Sequence, residues 1–243
     1  ASAQDSGLLC ADDSYGVMYS HGFATLFLAE VYGMTGDESV KEKLQRAVAL
    51  IHRAQNPDGG WRYSPMPIDA DVSVTICQVM ALRAARDAGI KVDKNVIERA
   101  IEYVKKCQNT DGGFDYMLTS DGSAFPRSAA GVATLFYAGV FEGKEIENGL
   151  KYVDQFRPGG NIQDNSHYFY GQYYAVQTMF LAGGKWWENW FPAIREELIA
   201  KQSRANGSWN GDVTDEYATA MSLIILQMPN RYLPVFSGKG RGS

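Results

Sequence analysis

The sequence predicts an all-α protein, an α/α toroid of about five helical hairpins with an inner apolar ring and an outer amphipathic ring. Three observations predict it. A Gln-x-x-x-Gly-x-aromatic punctuation recurs about every fifty residues. Each copy closes a helical pattern with one apolar stripe. A second helical pattern, apolar on most sides, follows each copy.

The first copy is Gln55-Asn56-Pro57-Asp58-Gly59-Gly60-Trp61, and the second is Gln108-Asn109-Thr110-Asp111-Gly112-Gly113-Phe114. The third, Gln155-Phe156-Arg157-Pro158-Gly159-Gly160-Asn161, has Asn where the aromatic is expected. The fourth, Gln202-Ser203-Arg204-Ala205-Asn206-Gly207-Ser208-Trp209, carries one extra residue before its glycine. The glutamines at 55, 108, 155 and 202 are separated by 53, 47 and 47 residues. A period of this length marks a repeat architecture.

The amphipathic patterns come before the turns. Leu44, Ala47, Val48 and Ile51 lead to the first, and Val96, Ala100, Ile101 and Val104 to the second, with Asp93 as an N-cap. Ile146 to Val153 leads to the third, and Phe191, Ile194, Leu198 and Ile199 to the fourth. The apolar patterns are Val72 to Ala85, Ala129 to Val140, Tyr170 to Ala182 and Tyr217 to Leu226. A fifth, Phe23 to Tyr32, reads as the second half of a repeat whose start is missing or degraded. A helix apolar on most sides must be buried on most sides, which sends these five inward. The turn residues agree. Gly admits the positive φ of a tight reversal, Gln can satisfy orphan groups at a helix end, and Trp or Phe can plug the junction. An open helical solenoid is the alternative reading.

One domain spans 1–243, with an irregular segment at 1–18 and a tail at 234–243. The length of 243 residues suffices for one substantial core. With 45% hydrophobic and 21% charged residues the composition is that of a soluble globular protein. A net charge of -5 and no basic stripe argue against nucleic acid as a partner. No apolar run approaches the roughly 20 residues of a transmembrane helix. Cys10, Cys77 and Cys107 form neither a CxxC pair nor a disulfide framework. No phosphate-cradling, dinucleotide-binding or nucleophile-elbow motif is present.

The four punctuations resemble the QW motif of squalene–hopene and oxidosqualene cyclases and the repeats of protein prenyltransferase β subunits. The resemblance runs from about Tyr19 to Phe236. Asp71-Val72-Ser73-Val74-Thr75-Ile76-Cys77-Gln78 and Tyr217-Ala218-Thr219-Ala220-Met221 further resemble the bacterial prenyltransferase/squalene-oxidase repeat proteins. In class II cyclases a DxDD motif supplies the acid that protonates an alkene or epoxide. The resemblance aligns Asp69 and Asp71 with its first and middle aspartates, which would make Asp71 the proton donor. Val72 replaces the final one. The plainer reading is that Asp71 caps the helix beginning at Val72 and Asp69 is a solvated loop residue.

In such a ring the turns entering the inner helices crowd one mouth. The residues there are candidates to line a cavity or bind a ligand: His21, Arg127, His167, Tyr168, Tyr170, Asp215 and Tyr217, beside Asp69 and Asp71. Tyrosine faces could stabilise a cation. Prenyltransferases need zinc held by an Asp-x-Cys pair and a His. No Asp-x-Cys occurs, so no metal or other cofactor is expected. The ligand expected is a hydrophobic small molecule of isoprenoid type. The alternative is a non-catalytic toroid that binds a protein or a glycan.

Overall fold

The computed structural model describes residues 4–10, 16–119, 122–160 and 166–232. Asn161 of the third punctuation and the tail 234–243 lie outside the described residues. Among the described residues the elements in chain order are α1 (Val17–Thr35), α2 (Glu38–Ala54), α3 (Val72–Asp87), α4 (Lys94–Lys106), α5 (Phe125–Ala138), α6 (Lys144–Asp154), α7 (Tyr168–Ala182), α8 (Gly184–Lys201) and α9 (Asp215–Gln227). A 3-10 turn at Met228–Asn230 follows.

Odd-numbered helices are the apolar ones. α3 buries Val72, Val74, Ile76, Cys77, Val79 and Met80 around its whole circumference, whereas α4 buries one stripe, Val96, Ile97, Ala100, Tyr103 and Val104. α1 packs on α3, α3 on α5, α5 on α7 and α7 on α9. The amphipathic helices cover this row from outside, α2 on α1, α4 on α5, α6 on α5 and α8 on α7. The row curls so that Phe23 of α1 meets Tyr173 of α7, ring centres 6.1 Å apart. The ends of the row are less covered: Phe27 of α1 is 64% exposed and Leu223 of α9 is 45% exposed.

Two inner helices start a full turn or more before the apolar pattern suggests. α5 begins at Phe125 because Pro126 sits in the first turn, where its missing N–H costs nothing. α1 begins at Val17, which places Ser20 and His21 inside the helix. In α8 the buried stripe is Trp190, Ile194 and Leu198, and Ile199 faces solvent.

The punctuation works as a brace. Gln55 Nε2 donates to Gly59 O at 2.7 Å and to Val96 O at 2.8 Å, so one amide closes its own turn and reaches the first turns of α4. Gln108 repeats this with Gly112 O at 3.0 Å and Glu145 O, on α6, at 2.9 Å. Trp61 is fully buried and its indole N–H donates to Ile51 O at 2.8 Å, satisfying an orphan carbonyl near the end of α2. Trp209 does the same to Leu198 O at 2.7 Å. Gly59, at φ 107°, lies so close to Arg99 of α4 that a Cβ would strike its backbone carbonyl.

A further, degraded turn precedes α1. Gln4 N donates to Leu8 O at 3.0 Å and Gly7 N to Gln4 O at 2.9 Å. Asn56 N to Gly60 O at 2.9 Å and Gly59 N to Asn56 O at 3.1 Å are the matching bonds of the first copy. Gly7 also has a positive φ and abuts Arg46 O of α2, as Gly59 abuts Arg99 O of α4. Leu9 stands where the aromatic stands elsewhere. The repeat that lacks a recognisable head in the sequence therefore has one in space.

Candidate acid site at the mouth of the inner helices

Asp71 closes the extended stretch that enters α3. Its N–H donates to Trp61 O at 2.9 Å, so the preceding turn fixes its backbone. Its Oδ1 accepts from Val74 N at 2.8 Å, which makes it the N-cap of α3. The other oxygen is the unusual one. Asp71 is fully buried, and Oδ2 has no hydrogen bond of normal geometry. The nearest charge is the Arg62 guanidinium, Nε at 3.8 Å. Burial raises the Asp71 carboxyl from 3.8 to about 6, against the opposing pull of the cap, the Tyr116 phenol and Arg62.

The loops that follow the first two turns build a cage over this carboxyl. Tyr63 O accepts from Met18 N at 3.0 Å and Tyr116 O from Val72 N at 2.9 Å. Each loop thereby satisfies an orphan N–H at the start of an inner helix and lands a tyrosine there. The Tyr63 and Tyr116 hydroxyls hydrogen-bond to each other. Tyr19 of α1 packs on Tyr63, ring centres 6.0 Å apart. The Arg62 guanidinium lies over the Tyr63 and Tyr116 rings at 5.1 and 5.7 Å. It also bonds Asp69 Oδ2 at 2.9 Å and touches Met117 Sδ at 3.0 Å. Burial, with Asp71 close by, pushes the Tyr19 phenol well above its ordinary value.

Below the cage, α7 reaches across to α3. Tyr170 donates its hydroxyl proton to Ser73 O at 3.1 Å. Cys77 Sγ lies 3.2 Å from the Tyr174 hydroxyl, and burial pushes its thiol up to about 12, so the sulfur is a neutral partner in this packing. These side chains bridge the interior between α3 and α7. At the opposite end, near the C-termini of α5 and α7, Phe141, Ile146, Leu181 and Trp186 line an open groove of about 410 Å³ with Glu142 on its rim.

The structure thus brings together Asp71, Asp69 and Tyr170 from the residues singled out in the sequence. It directs others elsewhere. His21 faces the outer layer: its Nδ1 accepts from Leu9 N at 3.1 Å, and Nε2 lies 3.2 Å from Ala47 O of α2. This is the place of Thr75, Ser128 and Thr219, whose hydroxyls accept the N–H of Trp61, Phe114 and Trp209. Burial lowers the His21 imidazole to about 4, so it is neutral there. Tyr168 also points outward, donating to Glu197 of α8 at 2.7 Å with Lys201 3.9 Å over its ring. Arg127 holds the loop before α5 through Phe114 O at 3.1 Å and Gly122 O.

His167 is an exposed residue at the start of α7, φ 46°, with Nδ1 4.0 Å from Asp212. Asp215 lies in the first turn of α9 and accepts from Gly211 N at 3.2 Å. Tyr217, in the same turn, is largely buried, which raises its phenol. Sequence reasoning missed Arg62, Tyr63, Tyr116 and Tyr19. A signal existed for two of them: Trp61-Arg62-Tyr63 and Phe114-Asp115-Tyr116 both place Tyr two residues after the plug.

A curled double layer of helices braced by repeated Gln–Gly–aromatic turns, with a carboxyl buried where an inner helix begins, defines a terpene-cyclase-like toroid. The family model of the squalene-hopene cyclase C-terminal domain matches residues 19–195, and the chain belongs to that family. No curated protein matches the chain. No described helix is long and apolar enough to cross a membrane.

Proposed function

We propose that the chain holds an isoprenoid-type ligand at the mouth where the inner helices begin, and that Asp71 is the acid that protonates it. The observation that supports this most is the Asp71 carboxyl, fully buried and raised to about 6, with Oδ2 in no hydrogen bond of normal geometry. An acid tuned close to the working pH is half-way to the driving force and the protonation state that general acid catalysis needs. Proton transfer breaks the Asp71 O–H bond and forms a C–H bond at one alkene carbon. The positive charge left on the neighbouring carbon would face phenol rings, the surface that suits a cation. Family cyclases use two aspartates for this task after the first. Here Val72 occupies the second place, and burial supplies the raised pKa instead.

Incubation with isoprenoid alcohols and diphosphates of increasing length, read by mass spectrometry of extracted products, tests the reading. Product formed by the wild type and lost in Asp71→Asn supports it. Ligand binding with no product in either protein overturns the acid role.

A second reading has its own observation. Tyr170 bonded to Ser73 and Tyr174 beside Cys77 bridge the interior beneath the cage. That packing favours a toroid that binds a protein or a glycan at its ends. Retained stability of Tyr170→Phe and Tyr174→Phe, with no isoprenoid bound by any variant, would favour this reading.

A further inference from the structure

We infer that Arg62 is a positioning residue and plug: its guanidinium fills the seat between the Tyr63 and Tyr116 rings above Asp71, and Asp71 is reached only when Arg62 swings out on Asp69. The inference rests on the reading of Asp71 as the reactive group of the mouth, but its geometry stands separately.

Four contacts carry it. The guanidinium carbon lies over two aromatic faces, at 5.1 and 5.7 Å, which is where an incoming cation would sit. The strong bond of Arg62 is to Asp69 at 2.9 Å, and Asp69 is half exposed at the rim. Its contact with Asp71 is longer, 3.8 Å, and Asp71 has no exposed surface at all. The carboxyl beneath keeps Oδ2 without a hydrogen bond of normal geometry, with the Tyr116 phenol beside it. A side chain anchored at its outer end and loosely held at its inner end can rotate outward about its last bonds without losing the anchor. Such a rotation uncovers Oδ2 and both ring faces together. Asp69 then has a role as the hinge of the plug, apart from proton donation.

Position makes Arg62 suitable. It lies between Trp61, fixed by Ile51 O and Thr75, and Tyr63, fixed by Met18 N. The backbone is held on both sides, so the motion is confined to the side chain.

Carboxyl-directed labelling of the full chain with a water-soluble carbodiimide and glycinamide, read by peptide mass spectrometry, tests this without any isoprenoid. In the wild type Asp69 is expected to label and Asp71 to stay protected. In Arg62→Ala, labelling of Asp71 is expected to rise about tenfold, as loss of one charge-assisted contact would give. Arg62→Lys is expected to restore most of the protection, because a cation again fills the seat. Buried Asp115 reports on unfolding in each sample. Should Arg62→Ala expose Asp115 as well, Arg62→Ser, which also empties the seat but keeps a polar side chain in the loop, takes its place. Equal labelling of Asp71 in the wild type and a folded Arg62 variant overturns the plug. A rise at Asp71 in a protein that binds no isoprenoid leaves the plug standing and removes the proposed ligand.

Discussion

The first and third punctuations share the glutamine and the glycine pair, and they differ in the plug residue and in what they hold. Gln55 bonds Gly59 O and Val96 O with its amide nitrogen and accepts from Arg99, joining α2 to α4. Among the described residues Gln155 donates to Lys151 O alone, at 3.4 Å, within its own helix. Gly59 is pressed against the backbone of α4, whereas Gly159, with φ 76°, has open space around it. The open groove beside Trp186 lies between α6 and α8, and among the described residues no glutamine brace joins these two helices. A motif is therefore a candidate brace, and the residues it meets decide whether it becomes one. The two intact copies are also those whose following loops deliver Tyr63 and Tyr116 to the mouth.

That contrast can be broken by substitution, the largest effect first. Trp61→Ala removes a fully buried indole and its bond to Ile51 O, and is expected to cost about 4 kcal/mol of stability in urea unfolding. A cost under about 1 kcal/mol would mean the plug is dispensable. Gly59→Ala combines a positive φ with a clash on Arg99 O and is expected to cost about 3 kcal/mol. Gly159→Ala has only the conformational cost, about 1 kcal/mol. Gln55→Ala leaves the buried carbonyls of Gly59 and Val96 unsatisfied, for about 2 kcal/mol. Gln155→Ala should stay within about 0.5 kcal/mol. Equal losses at Gln55 and Gln155 would erase the distinction between the copies.

The smallest effects are in pH dependence, where two buried groups oppose each other. Folding raises Asp71 from 3.8 to about 6. Between those values the unfolded chain has released this proton and the folded chain has kept it, so stability falls as pH rises. Folding lowers His21 from 6.5 to about 4. Over that span the unfolded chain binds a proton that the folded chain excludes, so stability falls as pH drops. Asp71→Asn keeps the cap oxygen and removes the first effect. Its urea midpoint should therefore fall more steeply than that of the wild type between pH 6 and 4. An unchanged slope would show that Asp71 titrates alike in both states.

The helical layers were legible because they follow from periodicity and turn chemistry, which are local. Asp71 was legible as a cap for the same reason. Its burial was not, since that depends on Tyr116 and Tyr19, which come from a distant loop and another helix. His21 was misplaced because its inner-helix position suggested the mouth. The repeat phase assigns it instead to the residue that accepts the N–H of Leu9, a role filled elsewhere by Thr or Ser. The degraded first turn escaped notice because Leu9 replaces the aromatic and only the bonds of Gln4 and Gly7 reveal it. Arg62 escaped because one arginine in a loop carries no pattern.

The most direct measurement is the titration of the Asp71 carboxyl in the intact chain, followed by carbon NMR of labelled aspartate and assigned with Asp71→Asn. The expected midpoint is about 6. A midpoint at the ordinary carboxylate value of 3.8 would contradict the account, because it would make Asp71 a helix cap and nothing more.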